Sequence, residues 1–259
     1  METELTKKES FELLSTYEGM DEDLKAEIKE ELEDFDDVGG IECRKIKIPT
    51  GKSKAFEVES ENPDDPDMQK ELVGVILLTH KMNSRWEGDY NNENRMPVCS
   101  SWDAKQGMNL QTGEIKSCDT CSYNTFRGDG MGKKCKNTRR IYLILNGNPH
   151  LYILTVPPTS LNSVNKQLKR IIESGIPLTR TIVAFRLEAA VSKGGKDYAK
   201  ITVEKVGELT QEQGNLTRQM REKIKKQYMV AVNNGNQASA EGFINIQEDT
   251  IDQEELPFH

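Results

Sequence analysis

The chain has 259 residues, 35% of them apolar and 30% charged, with a mean hydropathy of -0.69. That is long enough to bury a core, but the apolar share is below the ~45–50% of ordinary globular chains, no apolar run nears the ~20 residues of a membrane-spanning helix, and the acidic start Met1-Glu2-Thr3-Glu4 predicts no secretory leader. The net charge of -8 argues against nucleic acid only until it is mapped: residues 1–40 carry 15 acids and 4 bases, residues 131–230 carry 19 bases and 7 acids, and residues 241–259 carry 6 acids and no base, so a basic body has acidic ends.

In chain order, residues 1–38 read as an acidic helical arm, with Leu24, Ile28, Leu32 and Phe35 at helical spacing behind a capping Asp21. Gly39-Gly40 ends it. Ile41 to Ile48 alternates imperfectly and pairs as a hairpin with Ala55 to Val58 across Pro49-Thr50-Gly51. Leu72 to Thr79 is the most apolar strand and is expected at the centre of a sheet. Residues 95–138, rich in Gly, Asn and Ser, read as an insertion. Ile141 to Leu145 and Leu151 to Val156 flank the turn Asn146-Gly147-Asn148-Pro149. Pro157-Pro158-Thr159-Ser160 opens a helix through Ile172, stopped by Gly175. Thr179 to Ala189 and Tyr198 to Val206 are strands. Thr210 with Gln213 forms a capping box for a helix in residues 209–232. Residues 233–259, poor in apolar groups, read as a disordered acidic tail. The expected class is α+β: an OB-like small β-barrel over residues 39–208, with a four-cysteine zinc module inserted at 95–138, an N-terminal acidic helix and a C-terminal helix. The pattern leaves another α+β arrangement open.

The cysteines point to metal. Cys118 and Cys121 form a Cys-x-x-Cys knuckle; Cys99 lies 18 intervening residues before it and Cys135 lies 13 after it. Four thiolates satisfy tetrahedral zinc with no open position, so one structural Zn2+ is expected on Cys99, Cys118, Cys121 and Cys135. The alternative is a redox Cys-x-x-Cys with two unrelated buried cysteines. His80 is a possible replacement for Cys99, and Cys43 reads as a small buried hydrophobe.

No nucleophile–base arrangement or phosphate loop is present: in Gly128-Asp129-Gly130-Met131-Gly132-Lys133-Lys134 the positions that need Gly and Ser or Thr hold Arg127 and Lys134. The chain therefore reads as non-enzymatic. Cations alternate with aromatics instead: Arg85, Trp86, Trp102, Tyr123, Phe126, Arg127, Lys133, Lys134, Lys136, Arg139, Arg140 and Tyr142. Single-stranded nucleic acid calls for this combination, with cations along its backbone and flat faces under its bases.

At the other end, Asp252, Glu254 and Glu255 precede Leu256, Pro257 and Phe258. This resembles the acidic tail of bacterial single-stranded DNA-binding proteins. In that family the tail recruits replication and repair proteins and competes with DNA for the basic groove. His259 departs from a family tip that ends on Phe. The body, with its cysteine quartet leading into Lys133-Lys134-Cys135-Lys136-Asn137-Thr138-Arg139-Arg140 and the Pro157-Pro158-Thr159-Ser160 helix start, is similar in organisation to single-stranded DNA-binding proteins of phages and mobile elements. The resemblance implies a cytoplasmic protein that coats single-stranded DNA without sequence preference and recruits replication or recombination partners through its tail. Two rivals remain: a zinc-containing adaptor that binds a host protein, and a nuclease or primase component with a dispersed acidic site.

Overall fold

The computed structural model describes residues 11–13, 43–49, 51–62, 64–87, 97–126, 132–192, 195 and 197–234. Among them the order of elements is β1 (Arg44–Lys47), β2 (Phe56–Val58), β3 (Asp67–Gln69), β4 (Glu71–Arg85), β5 (Cys99–Ser101), β6 (Gln106–Asn109), β7 (Ile115–Ser117), β8 (Lys136–Leu145), β9 (Leu151–Val156), α1 (Pro158–Glu173), β10 (Thr181–Val191), β11 (Asp197–Glu208) and α2 (Gln211–Asn234). One sheet runs β3-β2-β1-β9-β8-β4-β5-β6-β7, with β10 on β4 and β11 on β10. Every pair is antiparallel except β1 with β9.

The expected central strand is central, and longer than its apolar run. β4 has 15 residues, about 50 Å at the rise of an extended chain. One edge pairs with β8 from Gly74 to Ser84. The other pairs with β10 over Glu71 to Val75 and with β5 over Asn83 to Arg85. Gly74 permits the tight approach to β8, because a Cβ there would stand 2.5 Å from the Ile144 carbonyl oxygen. The β4–β8 ribbon thus carries the main core at one end and the cysteine-rich knob, β5 to β7, at the other.

Alternation sends the ribbon's apolar residues to two faces. On one face, Leu72, Ile76, Ile141 and Leu143 join Phe56, Tyr152, Phe185 and Ile201 under Val164 and Leu168 of α1. On the other, Val75, Leu77, Tyr142 and Ile144 meet Ile224 of α2. Phe11 and Leu13 pack into this second cluster, and the Glu12 amide donates to Asn146 Oδ1 at 2.8 Å. These three residues of the acidic arm are not helical; the rest of its expected helix lies outside the described residues.

Local signals are realised as their chemistry predicts. Gln213 N donates to Thr210 Oγ1 at 3.3 Å and Thr210 N to Gln213 Oε1 at 3.2 Å, a complete capping box for α2. Gly147 turns the β8–β9 hairpin at φ 66° and Gly175 follows α1 at φ 85°.

The α+β class is as expected, but the sheet is open and not an OB-like barrel. The physical reason lies at β11. The outward backbone amides of Ile201 and Val203 donate to Ser160 Oγ at 2.9 Å and Gln167 Oε1 at 3.0 Å, both on α1. The helix occupies the donors that a closing strand would need.

Candidate nucleic-acid interface

Three of the four clustered cysteines sit at strand ends of the knob, and the fourth caps a 3-10 turn. Cys99 opens β5, Cys118 follows β7, Cys121 precedes a 3-10 turn at Ser122–Asn124, and Cys135 precedes β8. The backbone fixes them: Cys118 N donates to Lys105 O at 2.7 Å, Asn124 N to Cys121 O at 2.9 Å, and Cys135 N to Tyr123 O at 2.9 Å. Cys99 Sγ and Cys118 Sγ stand 3.0 and 3.4 Å from the point a Cβ on Gly107 would occupy, so any side chain there would press on both sulfurs. Burial pushes the Cys135 thiol up to about 12, and Cys118, Cys99 and Cys121 push the same way. Burial also raises Cys99, again with Cys118 and Cys121 contributing. No disulfide joins any of the cysteines. Among the described residues, no group of three or more His, Cys, Asp or Glu side chains is arranged to hold a metal ion. Cys43 packs elsewhere, against the α2-side cluster.

The ribbon divides the cation–aromatic set into two. On the α1 face, Arg85 lies 4.2 Å from the Tyr123 ring centroid, Lys134 6.0 Å from the same ring, and Lys133 5.1 Å from that of Phe126. Phe126 is 79% exposed and Tyr123 42%. Beneath them an amide chain ties knob to ribbon. Asn124 Nδ2 donates to Cys118 O at 2.9 Å. Asn124 Oδ1 accepts from Asn137 Nδ2 at 2.9 Å and Lys133 Nζ at 3.3 Å, and Asn137 Nδ2 also donates to Asn83 Oδ1. Further along this face, Arg139 donates to Asn165 Oδ1 of α1 at 2.6 Å and to Thr79 Oγ1 at 3.1 Å.

The α2 face is closed. Lys136 lies 5.3 Å from the half-buried Trp86 ring at its outer end. Inward, Arg140 and Tyr142 are buried, each at 4% exposure. Arg140 lies 5.6 Å from the Trp102 ring. His80 faces Trp102, Tyr142 and Tyr228 of α2, with ring centroids 6.2, 5.9 and 4.3 Å away. Its Nδ1 donates to Trp102 O at 2.9 Å, and Tyr228 Oη donates to the same carbonyl at 3.1 Å. Burial, reinforced by the Arg140 charge, pushes the His80 pKa down to about 4. Trp102, Arg140 and Tyr142 thus form an interior latch for α2, and His80 belongs to that latch.

Of the nominated residues, Arg85, Tyr123, Phe126, Lys133, Lys134 and Arg139 share the α1 face. Arg127 and the tail residues Asp252, Glu254, Glu255, Leu256, Pro257 and Phe258 lie outside the described residues. Sequence reasoning missed Lys81, Asn83, Asn124 and Asn137. Reading Thr79 to Arg85 with a period of two, which separates Thr79, Lys81, Asn83 and Arg85 from His80, Met82 and Ser84, would have found the first two.

Set against models of protein families, against curated proteins and against solved structures, the chain has no match. No helix among the described residues is long and apolar enough to cross a membrane.

Proposed function

We propose that the protein binds single-stranded DNA without sequence preference, through the α1 face of the β4–β8 ribbon and its knob. The observation that carries this reading is the pairing of exposed rings with cations: Arg85 with Tyr123, and Lys133 with Phe126. An exposed phenylalanine beside a lysine suits single-stranded nucleic acid. It offers a π-face for a base and a charge for the adjacent phosphate, and stacking of this kind contributes about 1–3 kcal/mol per base.

The proposal includes one structural zinc on Cys99, Cys118, Cys121 and Cys135. The all-sulfur donor set suits it, and so does the nearness of the Cys99 and Cys118 sulfurs, both beside Gly107. Metal would draw the sulfurs together and neutralise thiolates whose burial otherwise opposes ionisation. It would cross-link the knob and take no part in a reaction. The reading remains non-enzymatic and places the protein in the cytoplasm, of the host if it is encoded by a phage or mobile element. The tail, through Asp252, Glu254, Glu255, Leu256, Pro257 and Phe258, would recruit replication or recombination proteins. An OB-type reading of the fold belongs with this function only in an opened form.

Fluorescence titration with oligo-dT and with duplex DNA at two salt concentrations tests the function. Preference for the single strand is expected, with log affinity falling by about 0.7 per phosphate contact for each decade of salt. Equal affinity for the two, or no salt dependence, rejects it. Metal-dependent cleavage of the oligonucleotide would favour the nuclease reading.

A further inference from the structure

The knob forms one end of a larger surface. From it towards α1, the ribbon carries Lys81, exposed, and Arg85, Thr79, Asn137 and Arg139, half-buried, over a buried Asn83. The register sets Asn83 opposite Asn137 and Lys81 opposite Arg139, and residues directly opposite in an antiparallel pair share a face. The contacts agree. Arg139 reaches both Thr79 and Asn165 of α1, and Asn137 reaches both Asn83 and Asn124 of the knob. None of these six alternate positions is acidic.

The two cations of this stretch are differently held. Lys81 is exposed, and among the described residues it has no ion pair. Arg139 is half-buried and oriented by two neutral acceptors, which leaves guanidinium donors uncommitted. Burial alone pushes Arg139 below its ordinary value, and no carboxylate raises it. A half-buried arginine on a polar floor, aligned by neutral groups and, among the described residues, with no acid raising it, suits an anion.

We propose that the sugar–phosphate backbone of the bound strand runs along this floor, from Tyr123 and Arg85 at the knob to Asn165 on α1, with Lys81 and Arg139 holding phosphates. The track from Thr79 to Arg85 spans about 20 Å, at the short end of the ~4–16 nucleotide sites of single-strand binders. This rests on the single-stranded DNA reading above and adds to it a path and two contacts.

The test uses the full-length protein as purified and a short oligo-dT. Lysine acetylation, read by mass spectrometry with and without the oligonucleotide, should show Lys81 protected several-fold in the complex, and the exposed Lys47 of β1 unprotected. Lys81→Gln should weaken binding several-fold and reduce the salt slope by about 0.7, whereas Lys47→Gln should do neither. Lys81 is exposed, so its replacement spares the fold, and the acetylation arm needs no variant. Suppose oligo-dT binds and Tyr123→Ala weakens it, but Lys81 acetylates at an unchanged rate and Lys81→Gln keeps the salt slope. The path is then wrong while the function stands. If the unaltered protein does not bind oligo-dT, the function falls and the path with it. Equal protection of Lys81 by duplex DNA would overturn the single-strand assignment of the track.

Discussion

The two faces of the β4–β8 ribbon are made from the same stretches of chain and differ in almost every physical respect. On the α1 face beyond the helix, cations stand beside exposed rings or on an amide floor. On the α2 face, a histidine and an arginine are buried among three aromatic rings under a helix. Alternation produces the contrast: in Thr79-His80-Lys81-Met82-Asn83-Ser84-Arg85 every second residue goes the other way. Aromatic and basic residues adjacent in sequence are therefore separated by the thickness of the sheet. Composition alone makes them look like one surface; the pleat makes them an open cationic face and a closed one.

The largest effect should come from dissolving the knob. Cys118→Ser or Cys135→Ser is expected to reduce bound zinc from one per chain to none, measured by elemental analysis. Losing the Tyr123 and Phe126 platforms together should then cost on the order of 2–6 kcal/mol of oligonucleotide binding. The amides of α2 should keep their protection in hydrogen exchange. Full zinc content in both variants would sink the metal assignment, and collapse of α2 protection would show that the faces are not independent.

The next effect belongs to the closed face and is pH-dependent. In the unfolded chain His80 takes up a proton near pH 6.5; in the folded chain it does so only at about pH 4. Acid therefore favours the unfolded chain between these values. The stability contributed by neutral His80 is complete above pH 6.5 and is lost as pH falls to about 4, on the order of 3 kcal/mol. The tyrosines facing the ring do not titrate in this window: burial raises Tyr142 and pushes Tyr228 up to about 12. Urea unfolding at pH 7 and pH 4.5 should show a smaller gap in His80→Gln than in the unaltered protein. An identical gap would mean that His80 is not the acid-sensitive element.

Single rings on the open face should act on binding alone. Tyr123→Ala and Phe126→Ala are each expected to weaken oligo-dT binding by about 1–3 kcal/mol, with thermal midpoints unchanged because both rings are exposed. A marked loss of stability without loss of affinity would make them packing residues and erase the distinction between the faces.

Much of the architecture was legible because it rests on local chemistry. The Asn146-Gly147 turn, the proline start and glycine stop of α1, and the Thr210–Gln213 box are short-range devices that need no knowledge of the rest of the chain. That Cys99, Cys118, Cys121 and Cys135 fall around one cysteine-rich knob was legible from their spacing, but among the described residues they are not arranged to hold a metal ion. What was not legible depends on tertiary choices. The apolar run of β4 ends near Thr79, so nothing in hydrophobicity announced six further residues of polar strand. These are held because β8 pairs with them on one edge as far as Ser84 and β5 pairs with Asn83 to Arg85 on the other. Barrel closure was equally out of reach, since it turns on Ser160 and Gln167 reaching amides 41 and 36 residues away. Arg140 and Tyr142 looked like contacts because sequence cannot say which side of a sheet a helix will cover.

The smallest effect sharpens the comparison most, because it touches the cover of the closed face and nothing on the open one. Thr210 caps α2 through its hydroxyl, which accepts from Gln213 N, while Gln213 Oε1 accepts from Thr210 N. Thr210→Ala leaves the Gln213 amide without that partner and should cost about 1 kcal/mol of stability, within the ~0.5–2 kcal/mol range of such caps. Gln213 also ties α2 to the segment near Phe11 through a 2.9 Å bond from Nε2 to Phe11 O, so the first turn of α2 and the packing of Phe11 should loosen together. Tyr228 lies 18 residues further along the same helix, and its contact with His80 should survive, because fraying is confined to the end that lost its cap. The expected result is therefore a lower unfolding midpoint, faster hydrogen exchange at the start of α2, an unshifted acid transition and unchanged affinity for oligo-dT. A change in that affinity would show that α2 communicates with the cationic floor through the ribbon, and the two faces would then have to be treated as one coupled element.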